Sequence, residues 1–459
     1  MEGRWYMSDG MSVNDSSGVR NWRIRSAWLV TGVGEPLRGG CVLVRNGRIV
    51  DVERKCQGPI DVDLEDSILM PGLFNSHTHL EFSGLDEPLS AVGGFAEWVR
   101  QVIAYRQNRW GNLASDEQLI LRQADLRRGL EESWRNGVVA IADIATSPYP
   151  MGALLSVESR RPALFWGLGE VLGWTEERQS EMRGAFERMQ RDSVTCVTGA
   201  SAPMDGGRDG NECRGASDRV DYRLGISPHA PYSTSPRLIQ WCIERSRMEQ
   251  RLLAMHLGET QEEMEWLFER QGVFAELLER MGIGRVPLLP QWKSARDYLL
   301  HLSRAWRVLI VHANYLGSEE WEVLMKNRGH MSVVYCPRTH RHFGHSNYPL
   351  KQMLAAGVRV TVGTDSRASN PDLSIWRELQ AIAGGEAGLN PADILKLGTL
   401  EAAEGLGIER SFGSIEVGKS TRFSVAKMFG TAIRNASTNR FWELLWDSGE
   451  VGSPVGFGL

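Results

Sequence analysis

Two histidines one residue apart, His77 and His79, close the apolar run Ser67-Ile68-Leu69-Met70-Pro71-Gly72-Leu73-Phe74-Asn75-Ser76-His77-Thr78-His79. Residues i and i+2 of an extended strand face the same side, so both imidazoles can reach one metal ion at the mouth of a sheet or barrel. His-x-His alone is a weak signal, because surface and core histidines share that spacing. Four further polar strand-end signatures follow in order: Pro228-His229-Ala230-Pro231-Tyr232, His256-Leu257-Gly258-Glu259, His312-Ala313-Asn314 and Gly363-Thr364-Asp365-Ser366. His77 and His79 on a first strand, His256 on a fifth and Asp365 on an eighth make a candidate metal set. Three imidazoles and one carboxylate leave room for a water and suit one divalent ion, Zn2+ first and Fe2+ as the alternative. Any one of these histidines could merely bond a neighbouring carbonyl; four ligands at matching strand ends argue against that for the set.

A bound divalent cation makes water acidic enough to serve as a nucleophile near neutral pH. Asp365 is then placed to contact that water and His312 to orient it. Glu259, three residues past His256, could shuttle a proton to a substrate ring nitrogen. Its competing role is to cap the helix that begins near Thr260-Gln261-Glu262.

Elements that could position these groups are legible. Eight apolar runs end at 76–79, 138–143, 164–168, 224–227, 252–256, 308–312, 331–336 and 358–365, with helical patterns such as 116–136, 235–249 and 261–281 between them. Continuous apolar strands with polar C-terminal ends are features of a barrel. The expected fold is therefore α/β, a (β/α)8 TIM barrel over residues 71–409. Both chain ends are β-rich: Cys41-Val42-Leu43-Val44 and Arg48-Ile49-Val50-Asp51 flank an Asn46-Gly47 turn, and Arg422-Phe423-Ser424-Val425 lies near the other end. Residues 21–70 and 410–430 are thus expected to pair into a small β-sandwich domain. Residues 1–20 read as a disordered N-terminal segment, 191–221 as a long loop ahead of strand four, and 431–459 as a C-terminal tail without an assigned place.

Composition excludes several classes. A chain of 459 residues, 42% hydrophobic, can fill a barrel with insertions. A net charge of −5 gives no support for a nucleic-acid or anionic-membrane partner. The sequence has no apolar run near the ~20 residues of a transmembrane helix, and its first residues lack the apolar core of a signal peptide. A soluble, cytoplasmic protein acting on a small molecule is expected, with a homodimer left open. Six cysteines without Cys-x-x-Cys spacing argue for reduced, mostly buried thiols.

With these motifs in series, from about residue 44 to residue 419, the chain resembles the amidohydrolase superfamily. The likeness is to its cyclic-amidine deaminase branch, which holds cytosine deaminase, the triazine hydrolases and the S-adenosylhomocysteine/methylthioadenosine deaminases. That resemblance implies metal ligation by His77, His79, His256 and Asp365, proton shuttling by Glu259, and water activation by His312 and Asp365. Strand four carries His229 rather than a metal-bridging lysine, which implies a single metal and a substrate contact from His229. Two segments, His79-Leu80-Glu81-Phe82-Ser83 and the strand-seven loop Tyr335-Cys336-Pro337-Arg338-Thr339-His340-Arg341-His342-Phe343-Gly344-His345, look like those of aminodeoxyfutalosine deaminases of the menaquinone pathway. Those enzymes act on an adenine nucleoside carrying a benzoate. Arg338 and His340 could meet such a carboxylate; a solvated basic loop, or a second metal site at His340, His342 and His345, are the alternatives. In Gly94-Phe95-Ala96-Glu97-Trp98-Val99, where relatives place a lid, Glu97 and Trp98 could contact ribose or base, or form an ordinary helix face. The segment Ser420-Thr421-Arg422 departs from the family pattern.

Hydrolytic deamination of an adenine nucleoside derivative is the leading expectation. Methylthioadenosine, S-adenosylhomocysteine or another small base, and triazine dechlorination or deamination, are its alternatives; a ligand-binding barrel without activity is a third class. Zinc deaminases of the base-editing type pair His-x-Glu with Pro-Cys-x-x-Cys. His79-Leu80-Glu81 matches the first half, but the chain contains no Pro-Cys-x-x-Cys.

Overall fold

All eight apolar runs become parallel strands: β1 (Leu73–Thr78), β2 (Val138–Ala145), β3 (Leu164–Val171), β4 (Asp221–Pro228), β5 (Leu252–Leu257), β6 (Arg307–His312), β7 (Met331–Tyr335) and β8 (Val360–Val362). The computed structural model describes residues 21–111, 113–150, 162–198, 221–280, 282–284, 289, 291–385, 388–427, 433 and 435–456. The strands hydrogen-bond in chain order, and a Thr78–Asp365 bridge joins the first to the segment after the last. At this seam the Asp365 N–H donates to the His77 carbonyl at 3.1 Å. The Asn75 amide and Thr364 bond reciprocally, at 2.8 and 3.1 Å. A side chain on Gly363 would meet the His77 carbonyl oxygen at 2.8 Å, so only glycine lets the seam close.

Strand alternation divides the core. Phe74, Ala140, Ala142, Trp166, Ala254, Leu309 and Val311 form an inner cluster floored by Ala402 and Leu406. Leu73, Ile141, Phe165, Leu253 and Ile310 face the helical layer instead. Both faces being buried, the strands read as unbroken apolar runs.

The two chain ends build a β-sandwich. One sheet pairs Arg48–Glu53, Cys41–Arg45, Asn21–Arg25 and Val62–Asp63; the other contains Arg422–Lys427, Ile68–Pro71, Trp28–Leu29 and Leu37–Arg38. Ile24, Val42, Val44 and Ile49 from the first pack with Leu29, Leu69, Phe423 and Val425 from the second.

Three expectations need correction or limits. The described residues of 431–459 do not form a separate tail: the helix Thr438–Ser448 buries Phe441 and Leu445, and Glu450–Val451 and Val455–Gly456 pair antiparallel with Arg422–Lys427. Cys41 and Cys56 are joined as a disulfide with Cα atoms 5.3 Å apart, against the expectation of free thiols; Cys242 and Cys336 are buried and free. Cys41 stands opposite Glu53 in the hairpin, and the chain past Glu53 returns beside it, a proximity that a spacing of 15 does not announce. The helix Glu176–Thr198 occupies the first part of the expected 191–221 loop. The rest of that loop, 199–220, and the expected disordered segment 1–20 lie outside the described residues.

Candidate metal and acid–base site

Local irregularities aim the site residues inward. Leu73 faces the helices and Phe74 the interior, so strict alternation would turn His77 outward; a register shift between Asn75 and Thr78 re-aims it. His312 follows Val311, an inner residue, and adopts φ 69°; Asp365 adopts φ 56°. Such left-handed conformations are uncommon outside glycine and are held here by surrounding structure.

Ligand atoms of His77, His79 and His256 all lie within 4.8 Å of one another, and all three residues are buried. The His79 and His256 Nε2 atoms face each other at 3.4 Å. Asp365 Oδ1 is 3.4 Å from His77 Nε2 and 3.7 Å from His79 Nε2. His256 Nδ1 lies 2.8 Å from the His229 carbonyl and so carries the proton, leaving the Nε2 lone pair for the cluster. Both His77 ring nitrogens are buried without a hydrogen-bond partner. Burial holds His79 and His256 well below the usual imidazole range, neutral and able to donate lone pairs. Burial opposes ionisation of Asp365, but the imidazoles of His77, His79 and His312 close to it more than offset this and hold its carboxyl well below the usual range. Orphaned lone pairs converging on one carboxylate fit a divalent cation.

Beside this cluster, Glu259 Oε1 lies 3.4 Å from His312 Nε2. Burial, reinforced by Asp365 and Glu263, pushes the Glu259 carboxyl well up, and burial pushes His312 down. A carboxyl that holds its proton more tightly than usual thus faces an imidazole that holds its proton less tightly than usual. The helix Gln261–Glu269 is capped by Thr260, whose hydroxyl accepts the Glu263 N–H at 3.1 Å, so the cap is Thr260 and not Glu259. Both groups open into a cavity of about 530 Å³ on the C-terminal face of the barrel, with His79, His256 and Asp365.

Of the expected substrate contacts, His229 and Trp98 line this cavity. Burial takes His229 down to about 4, and its Nδ1 is 2.6 Å from the Ser233 hydroxyl. Glu97, Arg338 and His340 are not brought to the wall. Glu97 is half-buried and bonds Arg100 at 2.5 Å. The Arg338 guanidinium is held by Glu378 at 2.6 Å and Asp372 at 2.5 Å, leaving it no free fork for a substrate carboxylate. His340 is bound between Asn314 Oδ1 at 3.3 Å and the Ser346 carbonyl at 2.7 Å. Among the described residues, no metal grouping forms from His340, His342 and His345. The cavity wall instead shows three charged residues that sequence reasoning missed: Arg106, Glu170 and Arg178. Glu170 had a signal, since β3 runs on through Gly169-Glu170-Val171 and so carries an acidic residue near its C-terminal end; the expected end at 168 is short.

A closed barrel with this cluster at its mouth fits a metal-dependent hydrolase. The chain belongs to the amidohydrolase family, whose model matches residues 68–451. It is 25% identical over 388 residues to 5-methylthioadenosine/S-adenosylhomocysteine deaminase of Pyrococcus furiosus, covering 80% of this chain and 78% of that protein. With 5'-deoxyadenosine deaminase of Methanosarcina acetivorans it shares 26% over 410 residues, 85% and 80% of the two chains. The structure of Helicobacter pylori aminofutalosine deaminase superimposes with a TM-score of 0.72 at 20% identity, covering 96% of this chain and 99% of that one. Atrazine chlorohydrolase of Arthrobacter aurescens complexed with zinc gives 0.68 at 17% identity, covering 95% and 94%. At these identities the two structures are similar in fold.

Proposed function

We propose that the protein hydrolytically deaminates an adenine nucleoside derivative, using one divalent ion, Zn2+ before Fe2+, held by His77, His79, His256 and Asp365. The observation that carries this reading is the Glu259–His312 pair: a buried carboxyl and a buried imidazole 3.4 Å apart, opening on the same cavity as the ligand cluster. Deaminase relatives of adenine nucleosides support it.

A divalent ion held by His77, His79, His256 and Asp365 would supply the positive charge that lets a water ionise near neutral pH. His312 and Asp365 orient that water, and Asp365 takes its proton as the oxygen adds to the amidine carbon. Glu259 gives its proton to the adjacent ring nitrogen, where negative charge would otherwise build up. The proton held by Asp365 then passes to the exocyclic amine; as the carbon–nitrogen bond breaks and ammonia leaves, the added hydroxyl becomes a carbonyl and its proton returns to Glu259. Apolar side chains, including Phe82, Trp174 and Phe274, keep bulk water from the reacting centre.

The cavity also bears on substrate choice. Its wall beyond the metal cluster is largely aromatic and aliphatic, which favours a nucleoside with an apolar or aryl 5′ group. Methylthioadenosine and aminodeoxyfutalosine both meet that description. Arg178, which lines the cavity, favours the carboxylated compound as the second reading. Ammonia release from adenosine, methylthioadenosine, S-adenosylhomocysteine and aminodeoxyfutalosine by metal-loaded enzyme tests the proposal. Release from none of them, with chloride released from a chlorotriazine, would replace deamination by dechlorination.

A further inference from the structure

Two charged groups on the cavity wall belong neither to the ligand cluster nor to the acid–base pair. Glu170 is the penultimate residue of β3, lines the cavity that holds the cluster and is 4% exposed. Arg106 reaches the same wall from the last turn of the helix Phe95–Arg106, where its Nη2 donates to Glu81 at 2.5 Å. Its Nε is buried without a hydrogen-bond partner. The Thr146 hydroxyl lies 3.0 Å from Glu170 and 3.1 Å from Glu81. One hydroxyl has one proton, so it can satisfy only one of these carboxylates at a time. Phe82, Val102 and Leu172 make the wall around them apolar. Buried ionic groups left with unused donor and acceptor capacity are costly unless something completes their hydrogen bonds.

We propose that Glu170 and Arg106 form the sugar-recognition subsite: the Glu170 carboxylate accepts the vicinal hydroxyls of a ribose, and the Arg106 Nε–H donates to a sugar oxygen. This rests on the nucleoside reading above and deepens it. A carboxylate only accepts, so the subsite selects hydroxyl groups over ethers and rejects phosphate on the same carbons by charge. Glu97, the acidic residue of the expected lid, points to Arg100 and does not compete for this role.

Metal-loaded wild type and Glu170→Gln are compared on adenosine and 2′,3′-dideoxyadenosine. Wild type should favour adenosine in kcat/KM by roughly tenfold to a hundredfold, the range for hydrogen bonds to a charged group. Glu170→Gln should shrink that ratio to within a few-fold of unity; metal content and thermal melting report whether the variant is folded. A Glu170→Asp variant should restore part of the ratio. Calorimetric titration with inosine and 2′,3′-dideoxyinosine repeats the comparison without turnover. Absence of ammonia release overturns the deaminase reading, while a binding preference for inosine that Glu170→Gln removes still supports the subsite. A wild type blind to the hydroxyls in both assays, or a ratio that Glu170→Gln leaves intact, overturns the subsite whatever the fate of the deaminase reading.

Discussion

The Glu263 carboxylate accepts the backbone N–H of Glu259 at 2.8 Å with one oxygen and that of Gly258 at 3.0 Å with the other. The helix that follows β5 thereby reaches back and clamps the residue proposed to carry the proton. Asn314, just past β6, holds the same residue from the other side by donating to the Glu259 carbonyl at 2.8 Å. Glu259 is fixed at its backbone, and its carboxyl is left free to face His312.

Replacing Glu259 with Gln should leave metal content and melting temperature near wild type and lower kcat by about 10²–10⁴-fold, since the amide keeps the shape but cannot transfer a proton. Steady-state turnover beside elemental analysis checks this. Near-normal turnover would assign the proton to another group.

Glu263→Ala should act through position. It removes the clamp on two backbone donors, and kcat should fall by about tenfold or more, with KM changing less, as displaced catalytic groups lose rate before binding. Equal loss in both parameters would show that the clamp shapes the whole cavity.

Glu263 also gives a pH signature. Burial raises its carboxyl to about 7 although three backbone N–H groups oppose the shift. The unfolded chain ionises near 4.5, so below that pH both states hold the proton and its contribution to stability is fully present. As pH rises towards about 7 the unfolded state binds fewer protons than the folded state, and stability falls. Denaturation midpoints measured from pH 4 to 8 should contain this decline in wild type and lack it in Glu263→Gln. The component should be on the order of 1–3 kcal/mol. Parallel profiles for the two proteins would show that Glu263 ionises alike in both states.

Arg338→Ala should lower stability and not change selectivity. Glu378 is fully buried and bonded to Arg338, so removing the guanidinium strands a buried carboxylate, at about 3–5 kcal/mol. The ratio of kcat/KM between carboxylated and neutral nucleosides should stay within a few-fold. A selective loss on the carboxylated substrate would return Arg338 to the binding surface.

Chelation should remove one equivalent of divalent metal, abolish turnover and lower the melting temperature, because a ligand bound to the folded state alone stabilises it by mass action. His77→Ala should lose most of the metal when dialysed beside wild type. Two equivalents in the wild-type protein would contradict the single-ion reading.

The strands and their order were legible because burial on both faces writes a parallel strand as a continuous apolar run, and the ligand candidates mark where the first, fifth and eighth runs stop. What sequence spacing could not show is direction. His77 depends on a register shift in β1, and His312 and Asp365 on left-handed backbone, irregularities set by tertiary contacts. Arg338 and His340 follow β7 on the expected face, yet their charges and hydrogen bonds are consumed by Glu378, Asp372 and Asn314 from elsewhere in the fold. Arg106 carried no signal at all, since a basic residue ending an amphipathic helix reads as solvated surface. The closing residues stayed unplaced because short strands such as Glu450–Val451 acquire meaning only from the edge they join.

The seam between β1 and the segment after β8 sets a condition on timing. Thr78 and Asp365, whose backbones meet there, are 287 residues apart in the chain. During synthesis the paired histidines emerge long before the carboxylate that completes their set, and before the strand that shields them. A growing chain therefore offers incoming metal only a partial, open site, which any soft scavenging thiol or competing ion can contest. On the proposed ligand set, full chelation would arrive with the final strand, so an ion would be retained by molecules whose barrel has already shut, and metal occupancy would record which copies finished folding.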